Sequence, residues 1–244
     1  MFRKIRTVSA GILAALAYAP AAMTLAVLSI SFFVIQRVAS GVDFVDGISY
    51  GTLLTHCFGL HAPLLAQGFG WQVVTYLFLH GSGLHLALNM LTVLLFGAGL
   101  EMEIGSRRFW TVFLAGGAMG GLVWVACDAI QPALAAAFPE VARVLALRTQ
   151  PGVYGTCIGA SGGVFALIGA YAALFPRRET VVLLLVFPVR MRARTLAVFL
   201  GLATIIEAVL LRSQIAYAAH LAGGVAGYLY GLGLLRRRVF FRVA

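Results

Sequence analysis

Acidic residues are scarce in this chain. Only 8 of its 244 residues are Asp or Glu, and charged residues of both signs make up 11% of the sequence. Soluble globular domains carry about 25% charged residues, so this composition excludes that class. Hydrophobic residues make up 61% of the chain and the mean hydropathy is +0.98. Together these values predict an integral membrane protein.

Cysteine is also rare, and its three copies, Cys57, Cys127 and Cys157, are scattered along the chain. A disulfide framework needs a larger and more regular set. His56 and Cys57, with His61 nearby, resemble metal ligands. No second pair of such residues follows at the spacing that a zinc site needs. We therefore expect no metal and no cofactor, and we interpret the cysteines as small apolar residues.

Positive charge is in excess, with 18 Lys and Arg residues. Such an excess can indicate binding to nucleic acid, but these residues share neither one helix face nor one tail. They fall in clusters between apolar runs, as the loop charges of membrane proteins do. The expected partner is the lipid bilayer, and no nucleic-acid partner is expected.

Six apolar stretches are long enough, or nearly so, to cross a bilayer as helices, which takes about 20 residues. We predict an all-α membrane protein with a six-transmembrane-helix bundle over residues 18–235. The N-terminal segment resembles a signal peptide, but its apolar run continues beyond Pro20. This favours an uncleaved first span with Pro20 in its first turn. The six stretches are 18–36, 83–100, 107–127, 158–175, 194–211 and 214–235.

Basic residues set the predicted orientation. If the N-terminus is cytoplasmic, 14 of the 18 Lys and Arg residues fall on the inner side. Segment 1–17 and the basic tail 236–244 are then cytoplasmic, and the long loops 38–81 and 128–157 are on the outer side. The apolar segment 181–188 is too short to span and is predicted to be an inner interfacial loop. Compact size and sparse tails favour a bacterial inner membrane.

Four polar residues inside the spans have a similar predicted depth, near the outer face: Ser161, His220, His85 and Asn89. Polar groups in hydrocarbon are costly, so they are functional candidates by default. A serine and a histidine are the nucleophile and the base of acyl transfer. His85 and Asn89, at i and i+4, share one helix face and provide two side-chain donors for an oxyanion.

The fourth span is short. Between Ser161 and Pro176 it offers 15 residues, about 22 Å of helix against about 30 Å of hydrocarbon. Its first turn therefore begins below the outer surface, where non-helical backbone must be buried in protein or line a wet cavity. We expect a water-filled pocket above Ser161, which hydrolysis requires.

Glycines predict a close contact between the fourth and sixth spans, because small residues let helix backbones approach in membranes. His220 lies one turn before Gly223, so this contact would bring its imidazole towards Ser161. The glycines are Gly159, Gly162, Gly163 and Gly169 in the fourth span, and Gly223 and Gly227 in the sixth.

Structural roles are the alternatives for these patterns. A lone Gly-x-Ser-Gly is most often helix packing, and the His–Asn pair can be interhelical hydrogen bonding. Glu103 and Arg107, at i and i+4, are predicted to pair in an inner charge network with Glu101 and Arg108.

The remaining polar and aromatic residues favour structural interpretations. Trp71, Trp110 and Trp124 are predicted interface anchors, and His80 is predicted to be an interfacial polar residue. Glu207 in the fifth span is unassigned: it is either paired within the protein or reaches the outer interface with Arg212.

Four motifs occur in order on the spans. They lie between Trp71 and Leu235, and on them the chain resembles the rhomboid intramembrane serine proteases. Singly the motifs are modest, but together they are specific. They are His85-x-x-x-Asn89, Glu101-x-x-x-Gly105-Ser106, Gly159-x-Ser161-Gly162 and Ala219-His220-x-x-Gly223-x-x-x-Gly227.

The resemblance implies a six-span serine endopeptidase with a Ser–His dyad and no acid. It makes Ser161 the nucleophile and His220 the general base and then acid. The Ser161 backbone N–H, with His85 and Asn89, would hold the oxyanion. It also implies that the partners are single-span membrane proteins, cut near the outer end of the span after a small residue.

Three positions depart from the family pattern. Gln72 follows Trp71 where the family often has arginine, and Glu103 stands where some members have arginine. Phe165 stands where a tyrosine often stacks on the base, so the ring is kept without its hydroxyl.

Two alternatives to a protease stay open. One is a catalytically silent rhomboid-like protein that binds or escorts membrane proteins. The other is a small transporter with His85, Asn89 and His220 along its polar pathway, although the spans show no clear internal repeat.

Overall fold

The computed structural model describes residues 18–45, 47–145, 155–184, 187–210 and 217–240, which are mostly helical. The helices are α1 (Pro20–Ser40), α2 (Tyr50–Phe58), α3 (Ala62–Ala66), α4 (Gln72–Thr75), α5 (Gly83–Ile104, with a π-helical turn at Val93–Gly97), α6 (Ser106–Ala137), α7 (Pro139–Leu145), α8 (Ser161–Leu174), α9 (Ala193–Leu210) and α10 (Tyr217–Phe240). Two antiparallel hairpins pair β1 (Asp43–Val45) with β2 (Ile48–Ser49) and β3 (Glu179–Leu184) with β4 (Phe187–Arg192).

Four helices of the described part, α1, α5, α6 and α10, are long and apolar enough to cross a membrane. The prediction of a mainly helical membrane protein is therefore confirmed. Helix α8 has only 14 residues, about 21 Å at the usual rise, and α9 has 18 residues. The count of six spans stays a prediction.

The two segments predicted to be long loops contain helices, and the first also contains a hairpin. Helix α6 continues to Ala137 with Pro132 inside it, so the segment predicted as the loop 128–157 begins as helix and continues in α7. The segment 38–81 holds the first hairpin and three short helices. The side of the membrane on which either segment lies stays a prediction.

The segment 181–188, predicted to be an inner interfacial loop, forms strands at the residues that the structure describes, and its position at the interface stays a prediction. Most of this segment belongs to the β3–β4 hairpin, in which Val181 pairs with Arg190 and Val182 with Val189. β-Branched valines favour extended backbone. The ladder also satisfies backbone N–H and C=O groups that an irregular apolar segment would leave unpaired.

Helix α8 lies at the centre of the bundle. Twelve of its 14 residues are buried, and it packs against α6, α9, α10 and the π-helical turn of α5. A helix that is apolar on all sides is stable only when it is surrounded by others. Its first residue, Ser161, therefore begins among neighbouring helices at one end of the bundle.

Glycine allows α8 and α10 to touch through their backbones. A Cβ atom on Gly223 would lie closer than 3.0 Å to the carbonyl oxygen of Gly162, and one on Gly227 would meet the carbonyl oxygen of Ala166 in the same way. Gly169 faces the carbonyl oxygen of Gly224 across the same contact.

Two of the predicted glycine contacts were wrong. Gly163 packs against Phe113 of α6, not against α10. Gly159 packs against the ring of His85 on α5. A central helix has neighbours on every side, so its small residues serve several contacts, and spacing alone does not assign each one to a partner helix.

Glu101 is buried and caps α1. Its two carboxylate oxygens accept hydrogen bonds from the N–H groups of Ala21 and Ala22, each at 2.8 Å. The hydroxyl of Ser106 donates to the same carboxylate at 2.6 Å. A carboxylate at a helix N-terminus satisfies free N–H groups and interacts favourably with the helix dipole. Glu101 thus joins α1, α5 and α6.

The structure adds partners to the predicted charge network at this end. Glu101 serves a helix terminus, and Glu103 forms an ion pair with Arg178, whose Nη1 lies 2.7 Å from the carboxylate. Arg178 comes from the segment after α8, a partner that i,i+4 spacing within one helix does not indicate.

Replacing Glu101 by glutamine is expected to lower the free energy of unfolding by about 2–3 kcal/mol, because hydrogen bonds to a charged group contribute about 1.5–3 kcal/mol. The matched Glu103→Gln change removes the half-exposed ion pair with Arg178. It is expected to lower the free energy of unfolding by less than about 1 kcal/mol. Equilibrium unfolding in detergent micelles measures both. Equal losses for the two variants would contradict the capping role.

Candidate active site

Ser161 and His220 are in hydrogen-bond contact. The Oγ of Ser161 lies 2.7 Å from the Nε2 of His220. Ser161 is the first residue of α8, and His220 lies in the first turn of α10. The glycine-mediated contact between the two helices brings these ends together, so residues 59 positions apart form one pair.

Phe165 orients the histidine ring. It lies one turn after Ser161 on α8, and its ring stacks on that of His220 with centroids 4.5 Å apart and an interplanar angle of 5°. The stack limits rotation of the imidazole and keeps Nε2 directed at the serine. The phenylalanine thus preserves the stacking contact without a hydroxyl.

The N-terminus of α8 has no side-chain cap among the described residues. Ala160 precedes the helix and makes no side-chain cap hydrogen bond. The N–H groups in the first turn of a helix have no partner within it, and the helix dipole favours negative charge there. The first turn of α8, which begins at Ser161, is therefore suited to hold an oxyanion.

His85 lies beside this helix terminus because residue 159 is glycine. Gly159 has a φ of 129°, which L side chains rarely adopt, and a Cβ atom on it would lie 2.6 Å from Cε1 and 2.7 Å from Nε2 of His85. The Gly159 N–H donates to the carbonyl of Tyr76 at 2.9 Å. Both conformation and space require glycine at this position.

Asn89 lies one turn after His85 on α5 and is 6% exposed. Its amide nitrogen Nδ2 has no hydrogen-bond partner among the described residues. Buried amide donors are nearly always paired, so this one is suited to bind an acceptor that enters the site.

If the site carries out acyl transfer with Asn89 as an oxyanion donor, replacing Asn89 by alanine is expected to lower kcat by about 10²–10³-fold, the usual effect of removing one such donor. KM should change far less, because the lost interaction belongs to the transition state. Steady-state kinetics measures both constants. A variant in which only KM rises would show that Asn89 binds the substrate in its ground state.

A cavity of about 770 Å³ joins these groups. It lies where the shortness of the fourth span predicts one, and apolar residues, among them Trp124 and Phe199, form much of its wall. Its polar lining is Ser82, His85, Asn89, Thr92, Thr156, Ser161, Thr204, Glu207 and His220.

His80, predicted to be an interfacial polar residue, is a neighbour of the site. It is fully buried, and its ring lies 5.1 Å from that of His85 in an edge-on contact. Burial, with a smaller contribution from His85, lowers the pKa of His80 to about 4. The residue is therefore neutral at pH 7 and supports the His85 ring without adding a charge.

Glu207, which the sequence left unassigned, lines the cavity. Arg212, its suggested partner, lies outside the described residues. Periodicity could have identified Glu207, because Leu196, Leu200, Ala203 and Glu207 share one face of α9. The contact between His80 and His85 joins residues on either side of a non-helical turn, so helical periodicity does not predict it.

The histidines near Cys57 take part in packing and hydrogen bonding. The rings of His56 and His61 are 4.8 Å apart, and His61 Nε2 lies 2.6 Å from the hydroxyl of Thr156. Within the described residues, no group of three or more His, Cys, Asp or Glu side chains could hold a metal ion.

Comparison with known proteins shows the family of this chain. The model of the rhomboid domain matches residues 67–237, from the approach to α4 through most of α10. The chain belongs to the rhomboid family. The matched region contains every residue assigned above to the dyad and its neighbourhood.

Curated relatives of this rhomboid protein occur in animals, fungi and bacteria. Rhomboid-related protein 3 of Homo sapiens is 30% identical over 151 residues, 62% of this chain and 31% of that protein. Rhomboid protein 1, mitochondrial, of Saccharomyces cerevisiae is 30% identical over 163 residues, 66% of this chain and 40% of that protein. Putative rhomboid protease YdcA of Bacillus subtilis is 25% identical over 165 residues, 68% of this chain and 67% of that protein. The match thus spans less than half the length of the first two.

Gln72 of this rhomboid protein, a departure from the family pattern, is well accommodated. It is fully buried. Its amide nitrogen donates to the carbonyls of His56 and Cys57, and its amide oxygen accepts from the N–H of His61. A neutral side chain with both donors and an acceptor suits this buried position, where an unpaired charge would be costly.

Proposed function

We propose that this rhomboid protein is an intramembrane serine endopeptidase that cleaves single-span membrane proteins. The observation that carries the proposal is the 2.7 Å contact between His220 Nε2 and Ser161 Oγ. This pair opens into a cavity that His85 and Asn89 also line. A nucleophile, a base and nearby donors together are what acyl transfer requires.

The reaction proceeds in two steps. His220 takes the proton of the Ser161 hydroxyl as its oxygen attacks the carbonyl carbon, and then gives that proton to the leaving amine. Water hydrolyses the acyl-enzyme with His220 again as base. In both steps the Ser161 N–H, His85 and Asn89 donate to the oxyanion.

The proposed substrate is a transmembrane segment, cut near the outer end of its span after a small residue. The cavity lies among α5, α8, α9 and α10, and much of its wall is apolar, which suits a segment arriving from the bilayer. We place α8 and α9 as spans beside the other four, with both termini in the cytoplasm of a bacterium. The excess of basic residues on that side supports this orientation.

Reconstitution tests the proposal. The parent protein and Ser161→Ala would be placed in liposomes with single-span substrates, and the products mapped by mass spectrometry. The expected result is one cut near the outer end of the span, absent from the Ser161→Ala sample. Intact substrate with the parent, or cleavage that survives Ser161→Ala, would overturn the proposal.

The same samples separate the two alternatives. A silent escort protein would bind the substrates equally well in both forms and cut none. A transporter would show solute flux that is insensitive to Ser161→Ala. Cleavage that depends on Ser161 contradicts both.

A further inference from the structure

Glu207 turns towards the proposed catalytic cavity and away from lipid. The cavity-lining residues of α9 recur every three or four positions, from Leu196 through Leu200 and Ala203 to Glu207. Residues on the opposite face, such as Leu202 and Ile205, are exposed, as lipid-facing residues are. A carboxylate within a span faces the protein interior or a wet cavity because hydrocarbon would make it costly.

Glu207 lies at the level of the dyad. The start of α9 is held beside the end of α8, because the Ala193 N–H donates to the carbonyl of Arg178 at 3.0 Å. The two helices then run in opposite directions. From Ala193 to Glu207 the rise is about 21 Å, which matches the length of α8 back to Ser161.

Glu207 is the only formally charged side chain among the described residues that line the cavity. The other lining residues are apolar or are neutral polar groups, four of which, Ser161, His220, His85 and Asn89, take part in the proposed chemistry. A carboxylate beside an apolar wall is screened less than one in water, so its attraction for a cation is stronger. The cavity thus contains a charged group that peptide hydrolysis itself does not need.

We propose that Glu207 is a specificity-determining residue that selects substrates with a lysine or arginine close to the scissile bond. This inference rests on the proposed protease function. A basic residue inside a span is costly in lipid, and the carboxylate provides it with an ion pair as the segment enters the cavity. Substrates with such a residue gain binding energy here that neutral substrates do not.

The test uses paired single-span substrates in liposomes. Lysine, glutamine or glutamate is placed in turn at each of the three positions on either side of the cut. The parent is expected to favour lysine over glutamine in kcat/KM by about ten-fold at one or more positions, the size of one charge-assisted hydrogen bond. In Glu207→Gln this ratio falls to about one. Glu103→Gln, which neutralises a carboxylate outside the cavity, keeps the parent ratio.

A binding measurement separates this inference from the protease function. Affinity for the same substrates is measured in Ser161→Ala, with and without Glu207→Gln. Lysine preference that disappears with Glu207→Gln supports the inference even if the parent cuts nothing. Cleavage without lysine preference, preference for glutamate, or a lysine preference that survives Glu207→Gln overturns it.

Discussion

Replacing His220 by alanine is expected to lower kcat by at least about 10⁴-fold. The variant loses the base that lies 2.7 Å from the Ser161 hydroxyl, so the nucleophile must react as a neutral alcohol. Substrate binding should change little, because the lost interaction acts on the chemical step. Single-turnover cleavage in liposomes measures the rate, and substrate affinity is measured separately.

The matched control is His56→Ala, which removes an exposed histidine outside the cavity. This variant should keep kcat within a few-fold of the parent. If His220→Ala lost affinity with an unchanged rate on bound substrate, His220 would be a binding residue. The dyad mechanism would then be wrong.

Replacing Gly227 by alanine is expected to lower the free energy of unfolding by about 3 kcal/mol or more, the upper end of overpacking effects. The new Cβ would lie closer than 3.0 Å to three backbone atoms of Ala166, and backbone cannot rotate away. Separation of α8 from α10 by about 1 Å would also move His220 from Ser161 and lower activity by about 10²-fold.

Gly233→Ala on the same helix is the control, because a Cβ at Gly233 meets no atom within 4 Å. Alanine is the better helix former by about 1 kcal/mol, so this variant should be as stable as the parent or more so. Both are compared by denaturant titration in micelles. Wild-type stability in Gly227→Ala would contradict the backbone contact.

Hydropathy and residue spacing predict the features that lie within a single helix, such as where it begins and which residues share one face. Pro20 was placed in the first turn of a helix, and it begins α1. The contact of Gly223 and Gly227 with the fourth span was also predicted, because small residues four positions apart define one helix face. The same reasoning failed for Gly163, since a fully buried helix has several neighbours.

Other features depend on groups distant in sequence that meet only after folding. Glu101 caps α1 by accepting a hydrogen bond from the N–H of Ala21, which lies 80 residues earlier in the chain. His80 reaches His85 across a turn, and Arg178 reaches Glu103 from beyond α8. None of these pairs shares a helix face. Sequence period carries no information about them. The predicted shared depth of Ser161 and His220 comes instead from hydropathy and from the positions of the basic residues.

The most direct test of the central claim, that Ser161 is a nucleophile activated by His220, is labelling with a serine-reactive fluorophosphonate. The parent protein in micelles is treated with the probe, digested, and analysed by mass spectrometry alongside Ser161→Ala and His220→Ala. We expect one phosphonylated residue, Ser161, and no labelling in either variant. Absence of label in the parent, or label that persists in Ser161→Ala, would contradict it.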